Sequence, residues 1–267
     1  MLKVGIIGYG TIGEDVAAAL LSGMAGKAEL AAILVRDRDK WRDHPLSAYF
    51  VYDEQSFFAA RPEVVVESAG HEAVRRYGLG ALRSGADLIV VSVGVFADDG
   101  LFHSMKEAAE SAGRRIIVPS AAIGGLDRIA AGSVGPMEGV TLTTRKPPQA
   151  WYGTLVEQQV NLGELNAPHC VFEGAARDSA RLFPESVNVS AALSLAGVGL
   201  DDTKVKVYVD PGIAHNTHEI EATGKFGSVR LQIQNTPSSR NPKTGYIVAM
   251  SVIKTIRNMT SPFVIGI

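Results

Sequence analysis

Three features predict an α/β chain in two parts. A β-branched run breaks into Gly-Tyr-Gly-Thr-Ile-Gly at residues 8–13, short apolar runs alternate with helical patterns to about residue 120, and strictly alternating runs take over from about residue 138. The first part is expected to be a Rossmann-type doubly wound parallel sheet, and the second an α+β domain with a largely antiparallel sheet. The expected division is residues 1–120, completed by a C-terminal helix within 241–267, and residues 121–240.

The N-terminal elements follow in order. LKVGIIG (2–8) is a continuous apolar run of the kind buried on both faces of a parallel sheet. TIGEDVAAALLSG (11–23) changes to helical periodicity, with Ile12, Val16, Ala19 and Leu20 on one side and glycine as the stop. AELAAILV (28–35) is a second strand. After a less regular stretch, EVVVESAG (63–70), DLIVVSVG (87–94) and RRIIVPS (114–120) supply further strands, separated by helices at about 72–84 and 98–112. Such alternation implies right-handed βαβ crossovers.

The C-terminal runs read differently. Val140 and Leu142, then Val205, Val207 and Val209, then Val229, Leu231 and Ile233 alternate with polar partners, as on a sheet with one packed face. That face needs cover, either from a partner subunit or from the chain's own helices at 122–132 and 170–182. Asn241 and Pro242 are placed as N-cap and first helical residue of a closing helix over 241–259.

Composition excludes several classes. The 267 residues are 46% hydrophobic and 20% charged, with a formal net charge of −2 and no long run of one sign, which argues against nucleic-acid and anionic-membrane partners. No run approaches the ~18 apolar residues of a membrane span. The N-terminal run is short and breaks into glycine, unlike a signal peptide. The lone Cys170 has no partner for an internal disulfide, and its setting NAPHCVFEG matches no cysteine-nucleophile signature. A cytoplasmic location is expected.

Gly8, Gly10 and Gly13 form G-x-G-x-x-G directly after a strand and at the start of a helix, with Thr11 and Ile12 inside the same loop. The first glycine permits the tight turn, the second lets backbone approach a pyrophosphate, and the third brings helix close to strand. Free N–H groups and the positive helix end meet the phosphate charge. Arg36 and Asp37 stand together after the second strand. A carboxylate there serves the ribose of NAD and an arginine the extra phosphate of NADP, so both cofactors are expected to bind.

Two histidines, His215 and His218, sit three apart in VDPGIAHNTHEIEATGKFG. In a strand over 214–222, His218 shares a face with Ile220 and Ala222, whereas His215 falls among Thr217, Glu219 and Glu221. His215 reads as a solvated surface residue. His218 reads as a half-desolvated imidazole titrating near neutrality and exchanging a proton with a substrate, or else as a buried structural histidine. Alternation divides His215, His218, Asp210 and Glu219 between two faces, so no metal is expected.

The chain resembles L-aspartate dehydrogenases nearly end to end. The resemblance is carried by GYGTIG (8–13), VVVESAG (64–70), SVGVF (92–96), PSAAIGGLD (119–127), FPESVNVSAAL (183–193), Asp210-Pro through Asn216 to His218, and NPKTG (241–245). It implies an NAD(P)-dependent oxidative deamination of L-aspartate to iminosuccinate, hydrolysed to oxaloacetate and ammonia, which in turn can feed NAD synthesis. It implies His218 as catalytic acid/base, and Ala122 and Asn188 as contacts to the nicotinamide cofactor. Two positions depart from the family pattern: Gly245 where serine is frequent, and Ser68 where cysteine is frequent.

A dicarboxylate needs cationic or N–H-rich anchors. Lys243 and Thr244 are expected in the first turn of the closing helix, the AIGGLD turn (122–127) offers backbone N–H groups, and Arg145 and Lys146 are further candidates that the sequence does not rank. The same architecture also serves homoserine dehydrogenase-like and dihydrodipicolinate reductase-like enzymes, although the H-H-x-x-K pattern of the latter is missing. A noncatalytic dinucleotide-sensing regulator is the reading from another class. A homodimer is expected as cover for any apolar sheet face left open.

Overall fold

The computed structural model describes residues 1–183, 187–241 and 244–266. Two compact units emerge, one formed by Met1–Ala121 with Ser238–Ile267 and the other by Ala122–Pro237.

The first unit is built on a six-stranded parallel sheet in the order β3-β2-β1-β4-β5-β6. Its strands are β1 (Leu2–Ile7), β2 (Ala28–Leu34), β3 (Phe50–Val51), β4 (Val64–Glu67), β5 (Asp87–Val90) and β6 (Ile116–Ile117). The central strands are mostly apolar because both faces are covered: Val4, Ile6, Val64, Val65, Val66 and Ile89 are fully buried. Helix α1 (Thr11–Leu21) follows β1. The stretch without clear periodicity holds the short helices α2 (Arg38–Trp41) and α3 (Glu54–Ala59) around β3, with Asp37 and Asp53 as their N-caps. Helix α4 (His71–Arg83) packs on β4 and β5 and against α5 (Asp99–Ala112).

The second unit carries a five-stranded sheet ordered β11-β10-β7-β9-β8. Its members are β7 (Met137–Lys146), β8 (His169–Ala175), β9 (Lys204–Val209), β10 (Thr217–Gly224) and β11 (Gly227–Gln234). Every pairing among the described residues is antiparallel except β7 with β9. On β7, Val140, Leu142, Thr144 and Lys146 are buried while Thr141, Thr143 and Arg145 are not. Helices α6 (Leu126–Gly132), α7 (Ala176–Leu182) and α8 (Val187–Ala196) pack together, with α8 on β7 and α7 on β8 and β9.

Three expectations are corrected here. Residues 169–175 are a strand, not the start of a helix, because Cys170 and Phe172 pair with Tyr208 and Val207 of β9 and sheet pairing overrides local pattern. The helix expected over 122–132 begins at Leu126, after a turn with Gly125 at φ 77°. The closing helix α9 spans Tyr246–Thr260 with Gly245 as N-cap, so Asn241 is not its cap and Thr244 lies before its first turn. Pro242 and Lys243 lie outside the described residues. Helix α9 packs on α1 and β2.

Candidate active site

In the first unit the glycine loop has the shape its sequence requires. Gly8 takes φ +94°. A methyl group on Gly13 would stand 2.2 Å from the Gly8 carbonyl oxygen, so helix and strand end approach as closely as glycine alone allows. A methyl group on Gly10 would meet nothing within 4 Å, which leaves open space at the N-terminus of α1 where free N–H groups of Thr11, Ile12 and Gly13 can receive a phosphate. These residues fit a dinucleotide.

Sequence reasoning missed the group that shapes the rest of this face. Glu67 ends β4 fully buried; its Oε1 accepts N–H bonds from Ala69 and Gly70, both at 2.8 Å, and the Ser92 hydroxyl at 2.9 Å, while Oε2 accepts the Ser92 N–H at 3.0 Å. One carboxylate thus ties the loop after β4 to the loop after β5, at the strand ends where doubly wound sheets bind ligands. A charge closing an otherwise apolar Val-Val-Val run was the available signal. The Ser68 hydroxyl donates to the Ile7 carbonyl at 3.3 Å, so this departure from the family pattern has a local bonding role.

Arg36 and Asp37 differ in their surroundings. Asp37 Oδ1 accepts the Lys40 N–H at 3.1 Å as the cap of α2, and Arg36 is exposed directly after β2. Thr244 is tied into the turn before α9, donating its N–H to Asn241 and accepting the Ser238 N–H on its carbonyl. Ala121, at φ 49°, donates its N–H to Ser251 Oγ of α9 at 3.0 Å.

In the second unit, register brings His218 opposite Thr144. Thr144 Oγ1 and His218 Nδ1 are 3.1 Å apart and both residues are buried. Burial, assisted by the nearby Lys146 charge, lowers the imidazole from its ordinary 6.5 to about 4. The near-neutral titration expected from half-burial is therefore corrected: desolvation is nearly complete, and at neutral pH the ring is uncharged. His215 is exposed before β10 begins. Arg145 points to the opposite face, where Nε contacts Glu219 at 3.0 Å, Nη1 contacts Asp210 at 3.5 Å, and the guanidinium lies 4.5 Å from the Tyr208 ring centre. Lys146 shares the His218 face and is 6% exposed. Ala122 accepts an N–H bond from the Asn235 amide at 2.7 Å, and Asn188 lies exposed in the first turn of α8.

A parallel sheet with a phosphate-shaped glycine loop, joined to a second sheet carrying a buried neutral histidine, defines a nicotinamide-dinucleotide-dependent oxidoreductase. Comparison with known proteins identifies which one. A family model described as "Aspartate dehydrogenase, C-terminal" matches residues 127–259, and one described as "Homoserine dehydrogenase, NAD binding domain" matches residues 8–119. An L-aspartate dehydrogenase of Brucella anthropi is 38% identical, with 97% of each chain covered, and one of Pseudomonas aeruginosa is also 38% identical over 97% of each. The crystal structure of aspartate dehydrogenase from Thermotoga maritima superposes with a TM-score of 0.79, at 26% identity and full coverage of both chains. The chain belongs to the L-aspartate dehydrogenase family.

Proposed function

We propose that the protein oxidises L-aspartate with NAD or NADP, yielding iminosuccinate and then oxaloacetate and ammonia. In this reading residues 1–120 with 241–267 hold the dinucleotide and residues 121–240 handle the substrate. The observation that carries it is the buried, uncharged His218 beside Lys146 on one sheet face.

When bound, the nicotinamide supplies the hydride acceptor. The protein must take a proton from the substrate ammonium so that the hydride can leave Cα. With Nδ1 donating to Thr144 Oγ1, Nε2 of His218 carries a lone pair aimed at that task; the proton it accepts balances the hydride lost from Cα. The imidazolium must release that proton to solvent before the same nitrogen, neutral again, activates the water that hydrolyses the imine. Burial keeps the ring unprotonated at neutral pH, so its lone pair is available to accept a proton. Gly8, Gly10, Thr11, Ile12 and Gly13 receive the pyrophosphate, Arg36 faces the 2′-phosphate of NADP, and Ala122 and Asn188 contact the nicotinamide portion. Thr244, with Lys243, is retained as a weaker substrate contact.

No helix among the described residues is long and apolar enough to cross a membrane. We place the protein in the cytoplasm as a homodimer. The deciding experiment is incubation with NAD or NADP and L-aspartate, and separately with homoserine, following absorbance of the reduced nicotinamide. Reduction with aspartate and none with homoserine is expected; the reverse overturns the assignment.

A further inference from the structure

Helix α1 offers its N-terminus to an anionic pyrophosphate, yet it carries Glu14 in its first turn and Asp15 directly after it. Side chains on a helix lean toward its N-terminus, so both carboxylates lean toward the end where the phosphates bind. A carboxylate there favours the helix itself through the macrodipole but opposes a second anion at the same end. Arg240 meets both: Nη1 contacts Glu14 Oε2 and Nη2 contacts Asp15 Oδ1. The turn before α9 sets the guanidinium in place. The Arg240 N–H donates to Ser238 Oγ at 3.3 Å, the Ser238 N–H to the Thr244 carbonyl at 2.7 Å, and the Ser239 N–H to the Tyr246 hydroxyl at 3.0 Å. These charges are felt inside the glycine loop as well. Burial and then the Glu14 carboxylate push the phenol of Tyr9, the residue between Gly8 and Gly10, above its ordinary range, and Arg240 pulls against them. The Arg240, Glu14 and Asp15 side chains are 44%, 34% and 31% exposed, so as ion pairs they contribute little to folding.

We propose that Arg240 is a positioning residue for the cofactor that acts by charge: it neutralises Glu14 and Asp15, so that the first turn of α1 meets the pyrophosphate with its positive end unopposed. This role rests on the reading that Gly8 to Gly13 receive the pyrophosphate. On that footing the guanidinium matters to the cofactor only while the two carboxylates are charged, whereas a purely mechanical fastening of α9 to α1 would matter whatever their charge.

The test is fluorescence titration of the full-length protein with NADH in roughly 10 mM and roughly 1 M salt, between which the screening length falls from about 30 Å to about 3 Å. In low salt Arg240→Ala should weaken binding about tenfold relative to the unsubstituted protein, and in high salt the ratio should shrink to within about twofold. Adding Glu14→Gln and Asp15→Asn to Arg240→Ala should restore low-salt affinity to within about threefold, although no ion pair is left. A ratio that persists in high salt, a triple variant as weak as Arg240→Ala, or an Arg240→Ala that binds NADH as the unsubstituted protein does overturns the proposal. Glu14→Gln with Asp15→Asn alone keeps the arginine and should bind NADH at least as tightly as the unsubstituted protein. A loss beyond about threefold in that variant also overturns the proposal, and it decides the matter should Arg240→Ala fail to fold. Gly10→Ala separates the two readings: undiminished NADH binding there means that the pyrophosphate does not sit at this loop, whereas a loss there beside an unaffected Arg240→Ala sinks only the role of Arg240.

Discussion

Thr144 and His218 meet across the β7–β10 pair, hydroxyl to Nδ1 at 3.1 Å, with both side chains out of solvent. This contact occupies one ring nitrogen, and in the proposed function the other goes to the substrate. His218→Ala is expected to lower kcat ~10²- to 10⁴-fold with little change in cofactor affinity. Thr144→Val leaves a buried ring nitrogen unsatisfied and the tautomer unset, so kcat should fall about tenfold, with Thr144→Ser restoring most of it. Steady-state kinetics of the three variants check the assignment, and an unchanged turnover for His218→Ala removes that residue from the mechanism.

The depressed imidazole couples folding to acid. As pH falls below 6.5 the unfolded chain takes up a proton at His218 that the folded chain refuses until about 4. Stability therefore declines across that window as pH drops, by roughly 3 kcal/mol in total. Urea melts at pH 7, 5.5 and 4.5 should show the decline, and His218→Gln should flatten this component of it.

Glu67 makes four hydrogen bonds as an acceptor. An amide in its place turns an NH₂ group toward N–H donors. Glu67→Gln should cost about 2–4 kcal/mol of stability and loosen dinucleotide binding about tenfold. Thermal melts and fluorescence titration with reduced cofactor provide the readings.

Two glycines of one loop should fail in opposite ways. Gly13→Ala puts a methyl group against the Gly8 carbonyl oxygen, so it should lower the melting temperature and cofactor affinity together. Gly10→Ala meets no protein atom, so the melting temperature should hold while cofactor affinity falls at least tenfold, because the methyl group fills space kept for phosphate.

Cofactor preference is open to a direct comparison. With Asp37 capping α2 and Arg36 exposed, Arg36→Ala should raise the KM for NADP about tenfold and leave that for NAD nearly unchanged. A preference of the unsubstituted protein beyond about a thousandfold either way would make one of this pair a bystander.

What could be read beforehand depended on whether local pattern and tertiary contact agreed. Val64 to Val66 could only be a doubly covered strand, and the alternation through Val205, Val207 and Val209 could only be a half-covered one, so both sheets were legible. Residues 170–175 looked helical because no periodicity announces a partner strand 29 or more residues later; pairing with β9 decided them. The start of α9 shifted because Thr244 and Asn241 close a turn with their own backbone, which competes with helix initiation. His218 was visible as an imidazole on an apolar face, but its degree of burial, like that of Arg145 and Lys146, depends on which side of the sheet each residue takes and on what covers it.

The return of the chain to its first unit has a consequence for synthesis. The Val248, Val252 and Ile256 face of α9 is buried, Arg257 holds the Met24 carbonyl, and Arg240 reaches Glu14 and Asp15 near the start of α1. A ribosome translating this message releases β1 to β6 long before the helix that packs beside α1, whereas residues 122–237 form a contiguous block. The nucleotide-holding half should therefore mature last although it is made first, and a stop codon placed after residue 237 should yield a product prone to aggregation and dependent on chaperones.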